Sequence, residues 1–447
     1  MNTKDAFVIQ GLDGSKTLNG TVYINGAKNS AIKAMAAAIL FDGAVMLENV
    51  PENSDIETMR KVLEKLGAKV EKIKSGGANN QSSSVNRGQT LTIDVSSIKS
   101  TDIDADLAKS MRSSVVLTGP MLARYRKVTF PSPGGCVIGA RPVDLFLSGY
   151  EKMGAKVDEI DCVYDISSSQ GLSSTEIFFN KITVGGTETL MMAAVLANGL
   201  TVLKNCAMEP EIVNVAEWLN SCGAKISGAG TSTITIQGTN GKLLSPKKSF
   251  ITIPDRITAG SFLILGALCS KEMTIANCRP GHMQAVTELL VSLGVKIKVT
   301  ENSIIVQGAD HYKAISDLRT HEYPGFPTDL QAPLVTFLTQ SEGESTVFET
   351  IYEGRFKYTE ELIKLGATVT MMNPREVMIK GPATLRQLPD AEELTAHDIR
   401  AGFAVVLAAL LGKGKFKVNN VELIDRGYEN LEVVLKGLGA DIQRVKR

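Results

Sequence analysis

The sequence predicts an α/β protein built from six similar repeats, and three observations carry that prediction. A phrase in which an apolar helix tail meets Gly and opens a strand occurs six times: LEKLGAKV at Gly67, YEKMGAKV at Gly154, LNSCGAKI at Gly223, VSLGVKI at Gly294, LIKLGATV at Gly366 and LKGLGADI at Gly439. The later copies recur at about seventy residues, while the first interval is lengthened by a polar insertion; self-similarity at a fixed period marks a repeat architecture. Each repeat also holds a second helix that is apolar nearly all round, the pattern of a helix buried inside a domain.

The elements follow in order. In the helix that ends at each Gly, Leu and Met three or four residues apart form an apolar stripe. The Gly closes the helix in the left-handed conformation without a Cβ penalty, and a β-branched residue soon after starts a strand. The apolar helices read NSAIKAMAAAIL (29–40), MRSSVVLTGPMLA (111–123), TETLMMAAVLA (187–197), TAGSFLILGALC (258–269), TDLQAPLVTFLT (328–339) and RAGFAVVLAALL (400–411). The strands GAVMLENV, GLTVLKN, KEMTIAN, ESTVFET and GKFKVNN come after them. One repeat is too small to cover such a helix, so neighbouring repeats must pack around it. Three repeats per domain, with apolar helices inside and amphipathic helices and sheets outside, accommodates six. A domain change is expected near Pro254, and strands within 6–24 are expected to join the last repeats. The domains are then 28–253 and a discontinuous 1–27 plus 254–447. The stretch SGGANNQSSSVNRGQT (75–90) reads as an exposed, mobile loop.

At 447 residues and 43% hydrophobic, with a mean hydropathy of +0.04, the chain can fill substantial cores. Its 48 basic and 48 acidic side chains cancel, so no overall charge draws it to nucleic acid or membrane, and any anion site is local. The start MNTKDAFVIQG lacks the apolar core of a signal peptide, and apolar runs such as Phe403–Leu411 are too short to span a bilayer. A soluble, cytoplasmic protein is expected. Cys136, Cys162, Cys206, Cys222, Cys269 and Cys278 show no CxxC spacing and are expected as reduced thiols. The four histidines lack metal-ligand spacing, so no metal is expected.

The segment FPSPGGCVIGARPVDL (130–145) is the most unusual. Pro131, Pro133, Gly134 and Gly135 make it a loop with Cys136 at its tip, and Arg141 favours the thiolate. The other five cysteines occupy strand, helix or strand-end contexts and read as small core residues. Lys28 stands just before an apolar helix, whose first N–H groups also favour an anion. Arg112 and Arg400 begin two more such helices, and Arg355 and Arg426 occupy turns before outer helices. Together these cations suit a small polyanion bearing a carboxylate and a phosphate, which Arg binds bidentately. Asp329 and Asp398 also stand at starts of apolar helices, where capping and chemistry are both open readings. Lys181 precedes a Gly pair that lets backbone approach a ligand. GLDGSKT (11–17) is too short for a P-loop and precedes no apolar helix.

The motifs NGAKNS (25–30), KSMRSS (109–114), PGGCVIGARPVDL (133–145), KITVGGT (181–187), PEIV (210–213), PDRITAG (254–260), FPTDLQA (326–332), EGRF (353–356), DIRAG (398–402) and IDRGYE (424–429) together resemble the enolpyruvyl transferase family, and within it the branch acting on a UDP-sugar. The resemblance covers essentially the whole chain. It implies two inside-out α/β barrel domains of three repeats each, with the active site in the interdomain cleft. The implied reaction moves the enolpyruvyl group of phosphoenolpyruvate to the 3′-hydroxyl of UDP-N-acetylglucosamine and releases phosphate, the first committed step of peptidoglycan precursor synthesis. The implied partners are those two small molecules, with no nucleic acid, membrane, metal or cofactor. By motif match, Lys28, Arg141 and the catalytic Arg426 hold phosphoenolpyruvate, with Arg400 nearby. Asn29, Arg112, Arg141, Pro142, Val143, Asp144, Leu145, Lys181, Ile182, Thr183, Val184, Asp329 and the backbone of Ile351 line the UDP-sugar site. Cys136 resembles the family's proton donor, which also forms a covalent adduct and is the target of fosfomycin. Asp329 takes the part of base or hydroxyl anchor. Phe146 and Thr258 depart from the pattern, which has His and Glu there. The shikimate 3-phosphate branch is disfavoured by the PGGC loop. A non-catalytic nucleotide-sugar-binding paralogue has no need for Lys28, Cys136, Arg141, Asp329, Arg400 and Arg426 together.

Overall fold

The computed structural model describes residues 5–73, 88–131, 144–389 and 392–446. Each of the six helix-ending glycines adopts the left-handed conformation, with φ of 111° at Gly67, 85° at Gly154, 111° at Gly223, 100° at Gly294, 100° at Gly366 and 99° at Gly439. A residue with a Cβ is strained there. The strands that follow are Lys69–Ile73, Lys156–Ile160, Lys225–Ser227, Lys296–Val299, Thr368–Asn373 and Ile442–Val445.

Among the described residues these strands belong to six sheets, five of which share one plan, while in the sheet of Lys127–Pro131 the parallel neighbour is reduced to the single bridge Asp102 to Thr129. The strand leaving an apolar helix is central. It pairs in parallel with a short strand that leads into another apolar helix, and antiparallel with a strand that also carries the post-Gly strand at the edge. Leu200–Lys204 pairs this way with Glu176–Phe178 and Thr233–Gln237, and Ser270–Ala276 with Leu18–Tyr23 and Ser303–Gln307. In the last sheet Ala6–Gln10 takes the antiparallel place, between Lys415–Asn419 and Ile442–Val445.

An Asn in the left-handed region follows three of the central strands, Asn205, Asn277 and Asn420, and a fourth, Asn49, sits at the register shift before the last residue of Val45–Val50, with φ of 57°, 54°, 59° and 54°. Asn is the side-chain-bearing residue that tolerates this conformation best. The amides of three of them tie down segments leading into apolar helices, Asn49 to the Thr252 carbonyl at 2.9 Å, Asn205 to Phe179 at 2.8 Å and Asn277 to Ile24 at 2.6 Å. The sequence reading passed over this second repeat signal, although ENV, LKN, IAN and VNN display it.

The described residues through Ile24 and from Pro254 onward form one compact unit, and those from Asn25 to Ile253 form another. In the first, the helices Arg256–Cys269, Gln331–Leu338 and Ile399–Leu411 pack on one another and are buried along nearly their whole length. In the second, Thr118–Tyr125 packs on Val184–Val195, and the 3-10 turn Arg112–Leu117 touches both Val184–Val195 and Lys28–Ala37. Burying each Leu, Ile or Val of these helices contributes roughly 1.5–3 kcal/mol, which outweighs their lack of a polar face. Two apolar helices begin as 3-10 turns where α-helix was expected, at Arg112–Leu117 and Thr328–Leu330. Pro120 and Pro333 explain this: neither offers an N–H to the carbonyl four residues back, and each ring would collide with it. The second turn carries Asp329.

Candidate functional site

In the unit that contains the C-terminus, Asp329 lies between two arginines. Its Oδ1 accepts from Arg355 Nη2 at 2.7 Å and its Oδ2 from Arg400 Nε at 3.3 Å. Both guanidinium side chains are buried, 4% and 5% exposed, whereas the carboxylate is 30% exposed. The helical turn around Asp329 has Pro327 in the capping place, with no side-chain cap. Asp398, in contrast, caps its helix, accepting from the backbone of Arg400 at 2.7 Å and Ala401 at 2.9 Å. The two readings left open for aspartates at helix starts thus part: Asp398 is structural, and Asp329 is an ion-pair hub.

The hub extends further. Arg355 Nη1 donates to Thr328 Oγ1 at 2.6 Å, and the Thr328 hydroxyl donates to Glu349 Oε2 at 2.8 Å. Glu349 Oε1 accepts from the backbone of Ile351 at 2.8 Å and Tyr352 at 3.0 Å. Burial by itself lowers the Arg355 pKa, but Asp329, Asp398 and Glu349 more than reverse this and leave it above its ordinary value. Arg355, expected as a possible ligand for an anion, is therefore already engaged with protein acids. The Arg400 guanidinium lies 5.1 Å from the Tyr428 ring centre, and the Tyr428 hydroxyl is 2.7 Å from Ser261 Oγ. Arg400 Nη1 is buried with no hydrogen-bond partner among the described residues; a cationic donor left so is one that an anionic group would satisfy. Arg426 is half-buried in the turn before Leu431–Gly437. Its neighbour Asp425 is gripped bidentately by Arg444 at 2.7 and 2.9 Å, and the same guanidinium holds Glu432 at 2.7 and 3.1 Å.

In the other unit, Lys28 is the first residue of the helix Lys28–Ala37 and is buried rather than solvated; its Nζ lies 2.9 Å from Asp55 Oδ2. Lys33, one turn along, reaches the Asn29 carbonyl at 3.3 Å and Glu188 Oε2 at 2.9 Å. Burial pushes the Glu188 carboxyl up to about 7; Lys33 pulls it down, and Glu211 and Glu209 push it up again. Thr183 is a helix cap, its Oγ1 accepting from Gly186 N at 3.1 Å. Lys181 is exposed, Ile182 and Val184 are half-buried, Asp144 is exposed and Leu145 half-buried. Phe146 is buried against Phe130 and Tyr150, with ring centres 6.5 and 6.0 Å away, so it fills core space. Thr258 is half-buried in the first turn of its helix, its N–H donating to Asp255 Oδ1 at 3.0 Å.

Cys136, Arg141, Pro142 and Val143 lie outside the described residues, as do the side chain of Arg112 and most of the 75–90 stretch. Burial pushes the thiols of Cys206, Cys269 and Cys278 up to about 11, 12 and 11, and Cys222 is also buried. Cys162 departs from the core reading: it is exposed, at φ of 60° in the turn between Lys156–Ile160 and Val163–Ser167. Sequence reasoning also missed Thr328, Glu349, Lys33 and Glu188. A charge inside each of two otherwise apolar helices was a usable signal for the last two; Thr328 and Glu349 gave none.

These features can be set beside known proteins. The profile of the EPSP synthase (3-phosphoshikimate 1-carboxyvinyltransferase) family matches residues 12–435. The UDP-N-acetylglucosamine 1-carboxyvinyltransferase of Koribacter versatilis is 42% identical over 441 residues, 99% of this chain and 96% of the relative. That of Solibacter usitatus is 41% identical over 443 residues, 99% of this chain and 100% of the relative. The enolpyruvyl transferase NikO from Streptomyces tendae has the same fold, with a TM-score of 0.87 at 22% identity over the whole of both chains. EPSP synthase from Acinetobacter baumannii follows at 0.70 and 16% identity, covering 99% of this chain and 100% of that one. The chain belongs to the enolpyruvyl transferase family. Within that family, the relatives at about 40% identity bear the UDP-sugar name. Among the described residues, no helix is long and apolar enough to cross a membrane.

Proposed function

We propose that this protein transfers the enolpyruvyl group of phosphoenolpyruvate to the 3′-hydroxyl of UDP-N-acetylglucosamine, releasing phosphate, in the cytoplasm and at the first committed step of peptidoglycan precursor synthesis. The observation that carries this reading is identity of 41–42%, spread over 99% of the chain, to relatives named for that reaction.

The chemistry assigns roles to particular residues. C2 of phosphoenolpyruvate becomes electrophilic only when C3 accepts a proton, so an acid must stand over that face; Cys136, in its Gly/Pro loop, is given that part. The sugar oxygen then bonds to C2 and its proton leaves. Asp329 holds the hydroxyl, because its partly exposed carboxylate is fixed on both oxygens by Arg355 and Arg400 and retains lone pairs for a further donor. The tetrahedral adduct next loses the C3 proton and phosphate, leaving an enol ether. Lys28, Arg141, Arg426 and the open Nη1 of Arg400 stabilise the departing charge, each preorganised donor contributing roughly 3–4 kcal/mol by analogy with oxyanion holes. Asn29, Arg112, Pro142, Val143, Asp144, Leu145, Lys181, Ile182, Thr183, Val184 and Ile351 are assigned to the UDP-sugar. The test is phosphate release from phosphoenolpyruvate with each acceptor in turn. Turnover with UDP-N-acetylglucosamine and none with shikimate 3-phosphate is expected; the reverse preference would move the protein to the other branch.

A further inference from the structure

Glu349 has no exposed surface, yet its carboxylate receives three donors: two backbone N–H groups and the Thr328 hydroxyl. A buried carboxylate is costly unless so satisfied. The donors also fix the direction of every bond in the cluster. An N–H can only donate, so Glu349 Oε1 accepts twice. The single Thr328 proton goes to Glu349 Oε2 at 2.8 Å, which turns a Thr328 lone pair toward Arg355 Nη1 at 2.6 Å. Arg355 has only donors to offer, and its Nη2 gives one to Asp329 Oδ1 at 2.7 Å. No tautomer or rotor choice remains. One run of direct hydrogen bonds therefore joins the Ile351 backbone to the Asp329 carboxylate, through residues separated by 21 to 27 positions in sequence.

We propose that Glu349 and Thr328 are positioning residues for the acceptor: they hold the Asp329 carboxylate and the Ile351 backbone in one rigid frame, so that the acceptor hydroxyl and the rest of the nucleotide sugar are seated together. This rests on the reading that places Asp329 and Ile351 in the UDP-sugar site. The charge of Glu349 is essential to the frame, because an amide there offers Thr328 a donor where the carboxylate offered an acceptor. Thr328 is then faced by donors on both sides, and the link to Asp329 loosens.

The experiment uses the full-length protein and its Glu349→Gln, Thr328→Val, Thr328→Ser and Thr328→Val/Glu349→Gln variants. It reads steady-state phosphate release and calorimetric binding of UDP-N-acetylglucosamine alone. One lost hydrogen bond to a charged group corresponds to about a tenfold change. Glu349→Gln and Thr328→Val are each expected to weaken UDP-N-acetylglucosamine binding about tenfold, and to raise the KM for phosphoenolpyruvate by less than about threefold. Thr328→Ser keeps the hydroxyl and should bind like the wild type. The double variant should be little worse than either single one, since both cut the same run. Should Glu349→Gln fail to fold, Thr328→Val and Thr328→Ser decide alone. Wild-type-like sugar binding in Thr328→Val, equal losses for both substrates, or failure of Thr328→Ser to restore binding would each overturn the frame. Wild-type protein inactive with UDP-N-acetylglucosamine would instead overturn the functional reading, and the frame with it.

Discussion

Replacing Asp329 with Asn separates a catalytic carboxylate from a merely structural one, and the structure supplies the size of the effect. The carboxylate is the shared partner of Arg355 at 2.7 Å and Arg400 at 3.3 Å, both guanidinium groups being buried. An Asn amide accepts from one of them but turns its NH₂ toward the other, leaving a buried cation facing a donor. Removing one partner from a fully buried ion pair costs about 3–5 kcal/mol. Because Asp329 is 30% exposed, water offsets part of this, and a loss of roughly 2–3 kcal/mol is expected. That lowers a melting transition by roughly 4–12 °C for a unit of this size. Sequence reasoning alone forecasts almost no change in stability, since Asn keeps the shape and hydrogen-bonding reach of Asp; the structure reverses that forecast because both carboxylate oxygens are taken by guanidinium donors. Asp398→Asn is the matched control: Asp398 does cap, and its change should stay within about 1 kcal/mol. Turnover of Asp329→Asn, measured as phosphate release at saturating substrates below the melting transition, should fall about 10²-fold or more. A fully active Asp329→Asn protein, melting with the wild type, would refute both the hub and its catalytic part.

Glu188 makes a pH-dependent contribution whose sign is fixed. Its folded-state pKa is raised to about 7 from 4.5, so the folded protein binds the extra proton. Its stabilising contribution is present below about pH 4.5 and is lost as pH rises through about 7. The stability of the wild type relative to Glu188→Gln should therefore fall between pH 5 and 8, by up to about 3 kcal/mol, in paired urea titrations; a pH-independent difference contradicts it. Arg444→Lys keeps the charge but loses both bidentate grips, on Asp425 and Glu432. It should raise the KM for phosphoenolpyruvate severalfold through Arg426, whereas an unchanged KM would detach Arg444 from the site. Fosfomycin should alkylate Cys136, and peptide mapping should leave Cys162 unmodified although it is exposed, because reaction needs a thiolate and a bound anion rather than exposure alone. An adduct on Cys162 would undo that assignment.

The features legible in the sequence were those written locally. A Gly at a helix end, an apolar helix and a β-branched strand are each decided within a dozen residues, and their sixfold recurrence gave the α/β repeat plan. The 3-10 starts at Arg112–Leu117 and Thr328–Leu330 were also written locally, in Pro120 and Pro333, but were read as continuous helix. What escaped was non-local. Asp329 and Asp398 stand alike at helix starts, and only the arrival of Arg355 and Arg400, 26 and 71 positions away, separates an ion-pair hub from a cap. Glu349 at the end of a strand resembles any surface acid until the fold buries it beneath Thr328. Phe146 drew attention as a departure from the family pattern, yet its ring contacts with Phe130 and Tyr150 are ones a motif match does not reveal.

The central claim is most directly tested by following phosphoenolpyruvate labelled with carbon-13 at C3, incubated with the purified protein and UDP-N-acetylglucosamine, by two-dimensional proton–carbon NMR. The account predicts that the vinyl signals of phosphoenolpyruvate are replaced by those of an enol ether joined to the sugar at its 3′-oxygen, with one phosphate released for each ether formed. Unchanged phosphoenolpyruvate in that mixture, alongside an enol ether formed when shikimate 3-phosphate is the acceptor, would contradict it.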